Sequence, residues 1–347
     1  MYINFKNTSS RKRSELKDRI FNHLHELQQV EARRQKRKRI IYFAAASCVM
    51  FFGYLTYNQF EGNKDTELDD FVSLQKIAST DNIEKISLIL EDKNTVAVED
   101  STLIIYSKKG DKIKIGDEEI KRTTSAVTYN TLIVPYGKKT HLQLTDGTNI
   151  WLNSGSTLIY PSVFKGDIRE VYLIGEAIFE VSHDKTKPFF VKTRNSKVQV
   201  LGTIFDVSCY PEDEYVQTAL MQGKVRMTYT PKGFFKDKIE KNLLPGMIAT
   251  LSESKETMKV EKGDLEPIFS WRNGYFIFNS ESLNSILNRL SRYYKVKFIK
   301  DKDLDLNATY SGSFSLNEDL NNVAQTLGSI TDKNFELTND HKTIIIK

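Results

Sequence analysis

The side chains that could do chemistry in this 347-residue chain are few and widely separated. Beyond residue 60 there are three histidines, His141, His183 and His341, each in a different segment. A metal site or a nucleophilic triad needs a histidine with convergent Cys, Asp or Ser, and no HExxH, CxxC, GxSxG, P-loop or GxGxxG pattern occurs. His183 and Asp184 follow an apolar run beside Lys185 and Lys187, which is the composition of a solvated turn. Glu176 and Glu180 invite a glycosidase reading, in which paired carboxyls stand about 5 to 9.5 Å apart. Residues four apart on a strand lie about 13 Å apart on one face, so a partner acid would have to come from another strand. Trp151 and the tyrosines could line a sugar platform, but single aromatics in a β domain more often pack a core. No cofactor or metal is expected, and the chain reads as a non-enzyme.

The elements that would position any site begin with an uneven charge distribution. Residues 1–39 hold twelve Lys or Arg against four Asp or Glu, whereas the remaining residues are slightly acidic. Residues 40–57 (IIYFAAASCVMFFGYLTY) carry no charge and directly follow the basic run 33–39. At about 1.5 Å per residue they reach about 27 Å, close to a bilayer's hydrocarbon thickness. The basic flank predicts a cytoplasmic N-terminus and an exported remainder, with Tyr54 and Tyr57 at the outer interface. A cleaved signal peptide, or a lipid anchor at Cys48, fits less well: about 39 residues precede the apolar run, which continues past Cys48. Cys209 alone is exported, so no intrachain disulfide is expected.

Before the span, Leu16, Ile20, Leu24, Leu27 and Val30 recur at helical spacing, with Thr8, Ser9 or Ser10 as N-cap. A tail this short cannot close a core of its own, so the stripe needs a partner or the lipid surface. His23 and His25 lack the companions of a metal site.

After the span, residues 61–79 are polar and read as a tether. Thr95–Val98, Leu103–Tyr106 and Lys112–Ile115 read as short strands. Leu142 and Leu144, then Asp146-Gly147, then Ile150 and Leu152 predict a hairpin with a two-residue primed turn. Val171, Leu173, Gly175, Ala177, Phe179 and Val181 hold one parity over eleven residues, with Gly175 suited to a bulge or bend. Parity changes at Leu201-Gly202, which predicts a corner between sheets. An all-β sandwich, jelly roll or short β-solenoid follows.

From about residue 263 the pattern changes. Leu283, Ile286, Leu290 and Phe298 have apolar counterparts 37 positions on, at Leu320, Val323, Leu327 and Phe335. With Ser315 and Glu318 as a capping box for the second helix, and a closing strand at 344–346, this predicts a small α+β domain built from a duplicated βαβ unit.

Several fragments together resemble one family. They are Val134-Pro135-Tyr136-Gly137-Lys138; Leu144-x-Asp146-Gly147-Thr148-x-x-Trp151-Leu152-Asn153-x-Gly155-Ser156; Leu158-x-Tyr160-Pro161; Arg169-x-Val171-x-Leu173-x-Gly175-Glu176-Ala177-x-Phe179-x-Val181; Pro188-Phe189-x-Val191; and Val200-Leu201-Gly202-Thr203-x-Phe205-x-Val207. In order and spacing they resemble the periplasmic domain of FecR-type anti-sigma regulators. The C-terminal module is similar to the domain that follows it there, related to the short N-terminal domain of secretins and TonB-dependent receptors. Pro135, Gly137, Asp146, Gly147, Trp151, Asn153, Gly175, Glu176 and Gly202 then count as structural motif positions.

The resemblance implies a relay in the inner membrane. The periplasmic signalling domain of an outer-membrane TonB-dependent transporter would contact the chain outside. An extracytoplasmic-function sigma factor would be held inside, and the resemblance implies an intramembrane or site-1-type protease acting in between, as in many members; no direct nucleic-acid contact is implied. The basic segment is shorter than is usual in the family, so Leu16, Ile20, Leu24 and Leu27 are the expected sigma-factor contact. Tyr275, Phe276, Ile277, Phe278, Tyr310 and Phe314 are the expected transporter contact, by strand addition at a sheet edge. The expected organisation is a basic cytoplasmic segment at 1–39, a single transmembrane helix at 40–60, a tether and accessory β segment at 61–130, an all-β periplasmic domain of jelly-roll or β-solenoid type at 131–262, and the α+β domain at 263–347. A membrane-anchored periplasmic scaffold or glycan-binding module is the alternative.

Overall fold

The period-two runs become two β-sheets that share one long strand. A computed structural model of the chain describes residues 37, 42–53, 67–74, 83–90, 94–121, 128–231, 236–300, 304–339 and 342–347. One sheet runs β2 (Thr95–Val98), β1 (Ile86–Ile89), β6 (Tyr129–Val134), β9 (Ser156–Pro161), the first half of β10 (Arg169–Glu180), β11 (Phe189–Lys192), β12 (Ser196–Val200), β15 (Val225–Tyr229) and β16 (Ile239–Leu243). The other runs β5 (Glu118–Lys121), β4 (Lys112–Ile115), β3 (Leu103–Tyr106), β7 (Thr140–Gln143), β8 (Asn149–Leu152), the second half of β10, β13 (Ile204–Cys209), β14 (Tyr215–Gln222), β17 (Met247–Ser252) and β18 (Thr257–Lys262).

Their inner faces meet in one apolar core. Leu88, Leu132, Leu158, Val171 and Val198 come from the first sheet, and Ile104, Leu142, Phe179, Phe205 and Leu251 from the second. Each fully buried side chain of this size contributes about 1.5 to 3 kcal/mol, which is why the alternation is kept so strictly. The architecture is a sandwich rather than a solenoid. Its described pairings are antiparallel apart from β10 with β11 and β3 with β7, whereas a solenoid stacks parallel turns.

Gly175 is where β10 changes sheets. Residues 172–174 pair with β9 and residues 175–180 with β13. Gly175 has φ +95°, and an added Cβ would stand 2.5 Å from Ser156 Oγ and 2.7 Å from its Cα. At that corner the Ser156 hydroxyl accepts from Glu176 N (2.9 Å) and donates to Glu176 O (3.0 Å), pairing backbone groups there. Gly202 lies in the connection from β12 of the first sheet to β13 of the second.

Four expectations need correction. The β7–β8 hairpin closes with Gly147 N donating to Leu144 O and Leu144 N to Thr148 O. Gly147 has φ +84° while Asp146 stays at negative φ. This is a three-residue loop with a glycine bulge, not the two-residue primed turn, which needs positive φ at its first central residue. The tether contains a helix, Glu67–Leu74, whose Leu68 is buried, whose Phe71 ring lies 5.1 Å from that of Tyr129, and whose Asp69 holds Lys192 at 2.7 Å. Three acidic residues had masked its apolar stripe. The accessory strands are not a separate segment: β1 pairs with β6, and β3 with β7. Finally, Asp319 rather than Ser315 caps the last helix, its carboxylate accepting from Asn321 N (2.9 Å) and Asn322 N (3.0 Å).

The C-terminal module holds β19 (Tyr275–Ser282), the helix Leu283–Tyr294, β20 (Lys297–Lys300), β21 (Thr309–Ser315), the helix Leu320–Thr331, β22 (Phe335–Leu337) and β23 (Thr343–Ile346). The two copies of the repeat meet through their first strands, since β19 pairs with β21, while β20 and β22 flank β23. Ser282 caps the first helix, 37 positions before Asp319.

Residues 42–53 are helical, with Phe43, Val49, Met50, Phe51 and Phe52 exposed. Among the described residues no helix is long and apolar enough to cross a membrane. The stripe of Leu16, Ile20, Leu24 and Leu27 lies outside the described residues.

Candidate functional site

The second sheet is apolar on its outer face as well, and that determines where the module sits. Ile178 and Ala219 point outward and are fully buried. Together with Trp151, Ile204 and Ile248 they share one apolar cluster with Phe269, Trp271, Phe276, Leu287 and Leu290 of the module. Burying both faces of a sheet produces this layered packing.

Around that apolar seam runs a polar clasp centred on Arg292. Its guanidinium lies 3.8 Å from the Tyr210 ring centroid and donates from Nη1 to Glu212 and Asp213, both at 3.0 Å. Burial works against its charge, but Tyr210, Asp213 and Glu212 outweigh burial and raise its pKa further. The Arg292 carbonyl accepts from Gly137 N (2.9 Å), and the neighbouring Tyr136 hydroxyl donates to Glu212 (3.3 Å). One turn back, Arg289 pairs with Glu281 (2.6 Å), lies 4.3 Å from the Phe276 ring centroid and donates to Ile277 O. At the far side, Trp151 stacks on His141 with centroids 4.4 Å apart, and Arg272 lies 4.9 Å from the Trp151 centroid. Burial holds His141 below the usual imidazole pKa, against a hydrogen bond to Asn149 that raises it.

Two carboxyls lie beneath this seam. Glu176 accepts from Asn153 Nδ2 at 2.7 Å. Asp206, on the next strand, is fully buried, and among the described residues neither of its oxygens has a hydrogen-bond partner. Burial raises both pKa values, that of Asp206 well above its ordinary value with Glu176 adding to the effect, while Arg289 opposes it in each case. This supplies the second acid that a glycosidase reading would need, but it is sealed between layers. Glu180 is exposed at the strand end. Among the described residues no group of three His, Cys, Asp or Glu could hold a metal ion.

The expected transporter-contact residues divide by face. Phe276, Phe278 and Phe314 are buried, with the Phe276 and Phe314 rings stacked at 5.0 Å, so these three are core and not surface. Both faces of β19 are apolar, and only the pairing decides which points inward. Tyr275 is 55% exposed, and Ile277 and Tyr310 are half-buried.

Residues 130–226 match the family described as FecR protein, and residues 275–346 match FecR, C-terminal. Those two stretches are a FecR domain and a FecR C-terminal domain. Two crystal structures, at 1.65 Å and 2.50 Å resolution, of what their descriptions call "a putative anti-sigma factor" from Parabacteroides distasonis ATCC 8503 are similar to it. Each is 28% identical with a TM-score of 0.56; the matches cover 62% and 63% of this chain and 98% of those chains. No curated protein sequence matches significantly. These relationships are to regulatory proteins and not to enzymes.

The FecR motif positions acquire physical roles here. Gly137, Trp151, Asn153 and Glu176 converge on the seam. Asp146 holds the β7–β8 loop and a buried arginine: its carboxylate accepts from Thr148 N (3.0 Å), Thr148 Oγ1 (2.7 Å) and Arg169 Nη1 (2.7 Å). Pro135 is buried, and its carbonyl accepts from Lys138 N. Sequence reasoning missed Arg292, Arg289, Tyr210 and Asp206. The arginines follow the apolar stripe of their helix at positions that read as solvated, and Asp206 occupies what alternation assigns to an outer face. Only the apolar residues sharing that face, Ile204 on β13 and Ile178 on β10, hint that it is covered.

Proposed function

We propose that this chain is a single-pass inner-membrane regulator, with its N-terminus in the cytoplasm and its β-rich lobes in the periplasm. It holds an extracytoplasmic-function sigma factor through Leu16, Ile20, Leu24 and Leu27, and receives its signal from the periplasmic domain of a TonB-dependent transporter. Support for the membrane span comes from the basic run before residues 40–57 and from the exposed aromatic residues of helix 42–53.

The observation that carries the relay is the open edge of β21. It has β19 on one side and, among the described residues, no strand on the other; Thr309, Ser311 and Ser313 along it are exposed. An uncovered strand of seven residues suits strand addition by a partner. By contrast β20 carries Lys297 and Lys300, the charges that protect a sheet edge from pairing. Tyr275 and the half-buried Tyr310 flank the ribbon as side-chain contacts.

The test is co-purification of the full chain from detergent-solubilised membranes. A sigma factor should come with it and be lost when Leu16, Ile20, Leu24 and Leu27 are all changed to Ala. Recovery of no sigma factor would leave the anchored scaffold as the better reading.

A further inference from the structure

At the end of the sandwich, where β10 leaves the first sheet for the second, the sheets part around a cavity of about 460 Å³. That volume is within the range of small-ligand sites. Four tyrosines line it: Tyr136, Tyr172, Tyr210 and Tyr215. The lining also holds the carboxylates of Glu212, Asp213, Glu214 and Glu253, against a single lining cation, Arg194.

One wall already binds a cation. The Tyr210 ring, Glu212 and Asp213 together hold the Arg292 guanidinium, with a ring distance of 3.8 Å and two ion pairs of 3.0 Å. The remaining lining repeats these residue types, with Tyr215, Glu214 and Glu253. Tyr215 is 44% exposed, Glu214 beside it is exposed, and the Glu253 carboxylate accepts from the neutral amide of Asn195 at 2.8 Å. Aromatic faces combined with excess carboxylates attract alkylammonium and guanidinium groups through the ring quadrupole and Coulomb terms together.

We propose that this cavity is a binding site for an organic cation, an alkylammonium or guanidinium group. The cation comes either from a free polyamine or from a Lys or Arg side chain of a peptide. Because Glu212 and Asp213 serve both the cavity and Arg292, a bound cation contests the clasp that holds the C-terminal module. The inference is separate from the sigma-factor reading, since its readout is binding at the cavity and not sigma-factor recovery.

The test is calorimetric titration of the full chain in detergent micelles with spermidine, with a capped hexa-arginine peptide, and with maltohexaose as a neutral probe. Saturable binding of either cation, weakened by salt, supports the site. Spermidine binding assigns a free polyamine, and binding of the peptide alone assigns a side chain. Glu214→Gln combined with Tyr215→Ala, at two exposed positions that leave the core intact, should weaken cation binding at least tenfold. Arg292→Gln should tighten it several-fold by releasing Glu212 and Asp213. Binding of neither cation, affinity unchanged in the double variant, or binding of maltohexaose in their place would overturn the proposal; unchanged affinity in Arg292→Gln would overturn the competition with the clasp.

Discussion

Arg292, on a helix of the C-terminal module, packs its guanidinium over the ring of Tyr210, on a loop of the sandwich, at 3.8 Å. Its two carboxylate partners come from that same loop, so one side chain ties two elements about 80 residues apart in sequence. Arg292 is 8% exposed, but Glu212 is 43% exposed, and solvent screens part of the attraction. Arg292→Met should therefore weaken the seam by about 2 kcal/mol, below the roughly 3 to 5 kcal/mol of a fully buried pair. Since two lobes need not unfold together, the direct measurement is hydrogen exchange at the Gly137 amide, which bonds the Arg292 carbonyl. A 2 kcal/mol loss corresponds to about thirtyfold faster exchange there. Unchanged protection would mean that the apolar contacts alone hold the module.

The Asp146–Arg169 pair is more deeply placed. Arg169 is 2% exposed, also donates to Ser182 O and Lys187 O, and has Nη2 buried without a partner. Removing the acid leaves a charge that is already incompletely satisfied. Asp146→Ala should cost about 3 kcal/mol and lower the thermal midpoint of the sandwich. The double variant Asp146→Ala with Arg169→Met should recover part of that loss, because it leaves no orphaned charge. A double variant no better than the single one would show that the Thr148 contacts, not the ion pair, are what matters.

At Gly175 the expected effect is steric. Alanine there must adopt φ +95° and press its Cβ against the Ser156 backbone, for a combined cost of about 3 kcal/mol. Gly166→Ala is the control: it shares a positive φ but has no atom within 4 Å, so only the conformational cost of about 1 kcal/mol applies. Equal losses in denaturant unfolding would remove the crowded corner from the explanation.

How legible this was in the sequence follows from which physics each feature obeys. Alternation at Val171 to Val181 reports inward packing, and it placed the strand; Gly175 in its middle marked the bend. Spacing of 37 between Leu283 and Leu320 exposed the duplication, and the same spacing from Ser282 would have located the Asp319 cap that Ser315 obscured. The seam was illegible because it depends on a second covered face. Asp206 and Arg292 have the polarity of solvent-facing positions, and only tertiary packing buries them. The helix Glu67–Leu74 was hidden for the opposite reason, since its acidic residues outnumber the side chains it buries.

The buried Asp206 carboxyl predicts an unusual pH dependence. Its folded pKa is raised, by burial first and then by Glu176, with Arg289 as the opposing cation. Below about pH 3.9 the unfolded chain also holds this proton, and the group contributes nothing. Above that, the unfolded state releases the proton while the fold keeps it, so the group lowers stability with rising pH until its own folded pKa is passed. The slope for one proton is at most about 1.4 kcal/mol per pH unit. Glu176 adds a term of the same sign, and His141, held neutral by burial, adds the opposite one as pH falls below about 6.5. Asp206→Asn removes the first term together with the part of the Glu176 term that the two carboxyls share. The stability of the variant relative to the parent should therefore grow as pH rises from 4, in denaturant titrations at matched salt. A difference that stayed flat between pH 4 and 8 would mean that Asp206 is ionised in the fold or titrates as it does in the unfolded chain, and the dry seam assigned to it would have to contain water.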